Sequence, residues 1–191
     1  MHNIRTRMFP IIVMSLLAGG LAAPLPAQQT QVKRDVIYVP TRQAVVDGML
    51  KAANVTSTDV LYDLGSGDGR IPITAARVYG ARGVGIDIDP QRIAEANANA
   101  KAAGVTDKVR FLNQDLFSSD ISEATVVTLY LLPTLNIKLL PKLNKELKPG
   151  TRVVSHQFEM KEADGYEYEP EQKLTIDGSS VYVWTIPIVR K

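Results

Sequence analysis

From residue 36 onward, short apolar runs alternate with stretches of helical period, and this alternation constrains the fold more than any other feature. Asp59–Leu64, Gly83–Ile88, Lys108–Leu112, Thr125–Leu131 and Thr151–Ser155 have strand length and strand composition. Ahead of the first, Thr41 can cap a helix that carries Ala44, Val45, Met49 and Leu50 on one face. Arg70–Tyr79 reads as helix and stops at Gly80. Asp89 caps an alanine-rich helix with Pro90 in its first turn, ended by Gly104. A Leu- and Lys-rich helix runs to about Leu147 before Pro149-Gly150, and Pro141 either starts its regular part or kinks it. Glu171–Ile176 and Val181–Ile186 flank Asp177-Gly178, a hairpin signal, and Trp184 sits on the alternating second arm as a core residue. Five strand–helix steps and a hairpin predict an α/β fold: a doubly wound sheet with helices on both faces (three layers, αβα) and an antiparallel edge.

Composition removes several chemistries. The 191 residues are 45% hydrophobic and 22% charged, which suits one globular domain. There is no cysteine, so disulfides, thiolate metal sites and cysteine nucleophiles are excluded. His2 and His156 are the only histidines, so no histidine-rich metal centre is expected. The net charge is +2, and setting aside Arg5 and Arg7 leaves 20 basic against 20 acidic residues. Such a body gives no electrostatic reason to expect nucleic-acid binding.

The first 27 residues read as an address. Arg5 and Arg7 precede the uncharged apolar run Met8–Ala23, and Pro24–Gln29 offers a cleavage point after Ala27, although Leu25 stands where a small residue is preferred. The pattern predicts a signal peptide, or else an anchor in the cytoplasmic membrane, with Arg5 and Arg7 left in the cytoplasm. The run is short for a membrane span and contains Pro10, Gly19 and Gly20, which favours export with cleavage. Residues 28–191 then form the domain, exported or anchored, touching membrane only through that segment.

Three acids after three strands carry the chemistry. Val60–Arg70 reads VLYDLGSGDGR: strand, glycine turn, helix. Gly65, Gly67 and Gly69, with Ser66 between the first two, lack a Cβ and let a ligand approach the backbone. The helix start adds unpaired N–H groups. The spacing is G-x-G-x-G, not the G-x-G-x-x-G of dinucleotide binders, which disfavours a nicotinamide enzyme. Asp63, two residues before Gly65, suits a cationic ligand group better than a phosphate. Asp87, followed by Ile88, ends the second strand 22 residues after Gly65, where a carboxylate can accept both ribose hydroxyls. Asp115 follows the third strand and can accept from an exocyclic amine, with Leu116 and Phe117 beside it to cover a ring. Taken singly, these are also a tight turn, a solvated strand end and a loop acid.

Their order and the glycine spacing resemble class I S-adenosylmethionine-dependent methyltransferases, over roughly residues 36–191. The resemblance implies a Rossmann-like seven-stranded sheet of order 3-2-1-4-5-7-6 with an antiparallel last strand. It implies S-adenosyl-L-methionine as cofactor. Asp63 and Gly65–Gly69 would hold the methionine part, Asp87 the ribose, Asp115 the adenine amine, and Leu116 would lie by the ring. Four further stretches look like the small membrane-associated lysine methyltransferases of ATP synthase c-subunit and adenine nucleotide translocase, and like their bacterial exported relatives. They are YVPT at Tyr38–Thr41, DLGSGDGRI at Asp63–Ile71, VVTLYLLP at Val126–Pro133 and KLNKELKPGTRVVSHQF at Lys142–Phe158. More distantly the chain is similar to histone lysine methyltransferases without a SET domain. A protein lysine is therefore the implied acceptor. The Asn/Asp-Pro-Pro-Tyr/Phe motif of base methyltransferases is replaced by Tyr130-Leu131-Leu132-Pro133, which argues against base methylation.

Methyl transfer to an amine needs alignment, exclusion of water and a neutral nucleophile. Tyr38, Tyr130, Pro133 and His156 are the expected shapers of that pocket, with His156 read either as a general base or as a hydrogen-bonded structural histidine. The competing function is a binding module that keeps the cofactor site without catalysis.

Overall fold

The computed structural model describes residues 38–190. The expectations for residues 1–27 lie outside them. The elements run α1 (Gln43–Ala52), β1 (Val60–Leu64), α2 (Arg70–Thr74), β2 (Arg82–Asp87), α3 (Pro90–Ala103), β3 (Val109–Asn113), β4 (Val126–Leu129), α4 (Pro133–Glu146), β5 (Arg152–His156), β6 (Gln172–Ile176) and β7 (Ser179–Thr185). They build one seven-stranded sheet of order β3-β2-β1-β4-β5-β7-β6. The first five strands pair in parallel, and β7 runs antiparallel to both β5 and β6. This is the expected architecture.

Alternation along each strand splits the core between two faces. One face carries Tyr62, Leu64, Ile86, Val127, Leu129, Val153 and Trp184, packed on Leu139, Leu140 and Leu143 of α4. The other carries Leu61, Val126, Val154, Val181 and Val183, packed on Val45, Val46, Met49 and Leu50 of α1. Burying side chains of this size contributes about 1.5–3 kcal/mol each. Trp184 is buried as expected, and its indole N–H donates to Tyr168 O at 2.8 Å.

Four local expectations need amendment. The link from β3 to β4 holds turns and no helix, so not every strand is followed by one. Its polar atoms are satisfied locally: Asp115 O accepts from the N–H groups of Ser118 and Ser119 at 3.1 and 3.0 Å. The helix after the glycine turn changes pitch, continuing α2 as a π-helical stretch over Ala75–Tyr79. Pro141 lies inside α4, which runs through it. Thr41 does not cap α1: the N-cap is Arg42, with no side-chain cap, and the Thr41 hydroxyl turns inward to His156. Asp89 does cap α3, accepting from Gln91 N–H at 3.0 Å. Asp177 and Gly178 have φ of 49° and 76°, the left-handed pair that a two-residue hairpin turn of type I′ requires.

Candidate functional site

The five parallel strands open at one end, and their carboxyl termini surround a cavity of about 560 Å3. Asp63, Gly65, Ser66, Asp87, Ile88, Asp115 and Leu116 line it. Asp63 is only 3% exposed and receives a hydrogen bond from Thr128 Oγ1 at 2.8 Å, its register partner on β4. Burial pushes its carboxyl up to about 7; the Thr128 bond opposes this, and the charges of Asp87 and Asp68 add to it. Asp87 is pinned at the end of β2 by the N–H groups of Gly67 and Asp89, at 2.8 and 2.9 Å. Each carboxylate oxygen keeps a lone pair for a further donor. Asp115 forms a turn of its own, accepting from Phe117 N–H at 2.9 Å.

The three glycines do not act alike. Gly65, at φ 91°, lines the cavity, and its N–H is fixed to Ile86 O at 2.8 Å. At Gly67 a Cβ would lie 2.3 Å from the ring of Tyr38, and at Gly69 2.5 Å from Phe111 and 2.9 Å from Ala96. At the two later glycines the missing Cβ makes room for protein side chains.

Tyr38 belongs to a strap, residues 38–41, that crosses the glycine turn. Arg70 ties it down. The guanidinium binds Asp68 through Nε and Nη2, and its Nη1 donates to Thr41 O at 2.8 Å. Burial raises the Asp68 carboxyl, but the Arg70 bond and charge outweigh it and hold the group below its usual range. Burial and the neighbouring Asp68 raise the Tyr38 phenol, and the Arg92 guanidinium stands 4.7 Å over its ring. Sequence reasoning passed over Asp68 and Arg70. Their signal was a charged pair inside a glycine turn.

Part of the cavity wall is aromatic and apolar, formed by Tyr38, Tyr130, Leu131, Leu132, Leu135 and Phe158. Tyr130 follows β4, and Phe158 reaches it across a tight reversal after β5. Gln157 has φ 68°, and Phe158 N–H donates to His156 O at 2.9 Å, a γ-turn of the rarer hand. Ser155 Oγ donates to Phe158 O at 2.6 Å and fixes the turn from the other face. Two expected residues are not in the wall. Pro133 opens α4, where its missing N–H costs nothing. His156 ends β5, buried behind Tyr130, and its Nδ1 lies 3.1 Å from Thr41 Oγ1. Burial and the charge of Arg42 push its imidazole down to about 4.

The residues present fit S-adenosylmethionine. A buried carboxylate, Asp63, has no Lys or Arg paired with it among the described residues, so a cationic ligand group suits it. Ser66 Oγ, buried in the same wall, has no hydrogen-bond partner among the described residues. This sheet order, with this donor set at its open end, defines a class I S-adenosylmethionine-dependent methyltransferase.

The comparisons with known proteins narrow the class. The model of the ANTKMT methyltransferase domain matches residues 63–167, and the chain belongs to that family. A protein-lysine N-methyltransferase of Saccharolobus islandicus is 47% identical over 156 residues, covering 79% of this chain and 94% of that protein. A lysine N-methyltransferase of Xenopus laevis that acts on the ATP synthase c-subunit is 33% identical over 63% of this chain, which spans 53% of it. Among solved structures, an RNA methyltransferase of Salinibacter ruber in complex with S-adenosyl-L-homocysteine is 57% identical, with TM-score 0.75, covering 80% of this chain and 97% of that one. The family and these relatives make the chain an S-adenosylmethionine-dependent enzyme and set aside the reading as a non-catalytic module.

Proposed function

We propose that the chain is a protein-lysine N-methyltransferase. The observation that carries this is the apolar part of the cavity wall, to which Tyr38, Tyr130, Phe158 and three leucines contribute in the same cavity as Asp63 and Asp87. An ordinary lysine, pKa ~10.4, is neutral in only about one molecule per thousand at pH 7.4. An apolar, aromatic wall favours the neutral amine by desolvation, while its ring faces still tolerate the ammonium as it enters. The likeness to the Saccharolobus enzyme supports the same reading.

In this reading Asp63 and Gly65 hold the methionine part, Asp87 the ribose and Asp115 the adenine amine, with Ile88 and Leu116 on the ring faces. The bound cofactor supplies an electrophilic methyl. The chain aligns the amine with it and excludes water.

The likeness to the Salinibacter protein gives RNA a specific claim as rival acceptor. Against it stand the balanced charge of the body and the missing base-methylation motif. Tritiated S-adenosylmethionine, the purified chain and membrane-protein extract or total RNA decide between them. Label recovered as methyl-lysine after acid hydrolysis is expected. Label released by ribonuclease and absent from protein would overturn the lysine reading.

We also propose that Met8–Ala23 directs the chain to the cytoplasmic membrane, with export and cleavage after Ala27. A topology reporter fused after Lys191 checks this, and a cytoplasmic signal refutes it.

A further inference from the structure

His156 joins two parts of the site without touching the cavity. Its ring lies 3.9 Å from that of Tyr130, tilted by 40°, and Tyr130 lies 6.2 Å from Phe158 at 24°. Its Nδ1 meets the hydroxyl of Thr41, the last residue of the strap. Its carbonyl accepts the bond that closes the γ-turn and aims Phe158. Tyr130, Phe158 and Thr41 all line the cavity, and His156 does not. One buried residue thus contacts the strap, the residue after β4 and the turn after β5.

We propose that His156 is a positioning residue that holds Tyr130, Phe158 and the strap in one arrangement around the incoming acceptor. The inference rests on the lysine reading for what is positioned, and on the geometry alone for how. Three features favour this role over proton transfer. The ring is shielded from the cavity by Tyr130. A base must reach the proton it removes within about 3.2 Å or through one water. An imidazole pushed down to about 4 is also far too weak to draw a proton from an alkylammonium. The ring's shape and its bond to Thr41 remain as its contribution. Misplacing a reacting group by about 1 Å can cost on the order of 100-fold in rate.

The test uses the full chain, His156→Ala, His156→Phe and Thr41→Val. Calorimetric titration with S-adenosylhomocysteine reports the cofactor end. Methyl incorporation into membrane-protein extract reports turnover, with kcat and KM for the acceptor taken on the major labelled protein. His156→Ala is expected to lower kcat at least tenfold and raise the acceptor KM, with S-adenosylhomocysteine affinity within twofold of the unmodified chain. His156→Phe keeps a ring against Tyr130 and should recover to within about threefold. Thr41→Val loses the same bond as His156→Phe and keeps the imidazole ring, so it too should stay within about threefold. A phenylalanine variant as inactive as the alanine one, beside an active Thr41→Val, overturns the proposal, because it would show that the nitrogens are needed for something other than the bond to the strap. Full activity in His156→Ala overturns it too. If the unmodified chain labels no protein, the lysine reading fails separately. Aromatic NMR of the S-adenosylhomocysteine complex then decides: Tyr130 ring signals should move in His156→Ala and return in His156→Phe, and unchanged signals refute the positioning role.

Discussion

Strand β1 has a buried aspartate near each end, and the two live in opposite surroundings. Asp59, just before the strand, is 5% exposed and accepts from Thr125 Oγ1 at 2.7 Å, Thr56 N–H at 2.8 Å and the guanidinium of Arg152. Burial raises its pKa, but these donors outweigh it and hold the carboxyl below its usual range. Asp63 is as buried, has Thr128 for a donor, faces two other acids, and is pushed up to about 7. The amino end of the parallel sheet is closed by completed polar networks. The carboxyl end is left with a carboxylate whose needs a ligand can meet. Their linkage to pH therefore has opposite signs. Asp59 adds stability above its unfolded pKa, and this is lost as pH falls through its depressed folded value. Asp63 favours the fold when protonated, so its contribution is present below about 4 and lost as pH rises through about 7.

Removing the partner of the first aspartate gives the largest effect. Arg152→Ala leaves Asp59 buried and unpaired, and is expected to cost about 3 kcal/mol in urea unfolding. S-adenosylhomocysteine affinity of the folded protein should be unchanged; a large loss of affinity would mean the two ends are not separable. Asp63→Asn should do the reverse. About a 100-fold weaker Kd for S-adenosylhomocysteine, roughly 2.7 kcal/mol, is expected by calorimetry. The ligand-free protein should melt at higher temperature than the unmodified one at pH 8 and at the same temperature near pH 4. Intermediate in size is the pH dependence of binding in the unmodified chain. If the bound form needs the ionised carboxylate and the free form titrates at about 7, affinity rises about tenfold between pH 6 and pH 8. A flat profile would place the bound proton elsewhere. Thr128→Val is the finest probe. It removes the 2.8 Å bond to Asp63, worth about 1 kcal/mol, and should move the midpoint of that profile upward.

The polar half of the site was legible because its signals are local. Asp63, Asp87 and Asp115 each follow an apolar run, and a parallel sheet brings such positions to one edge whatever lies between them. The aromatic half was legible only as residue names. Tyr130 and Phe158 are separated by the whole of α4 and β5, and they meet through a γ-turn at a glutamine, which no local propensity announces. Distant residues altered one inference from the sequence and added to another. Thr41 had the right chemistry for a helix cap, but a buried histidine 115 residues away claimed its hydroxyl. Gly67 and Gly69 read as ligand-facing glycines, and the structure adds that Tyr38 and Phe111 fill the space their missing Cβ atoms leave. Asp68 and Arg70 were missed because a charged pair two residues apart reads as surface decoration until Thr41 O is found at the other end.

The seating of Tyr38 on Gly67 bears on how the protein is handled at the bench. Tyr38 is itself cavity wall. An affinity tag, a fluorophore or a surface tether joined just ahead of Tyr38 pulls on the strap, and through Arg70 on the glycine turn. Near the carboxyl end Arg190 is held by Asp164 at 2.8 Å and lies 4.2 Å over the ring of Tyr166, and none of the three lines the cavity. Labels belong there rather than on the strap itself.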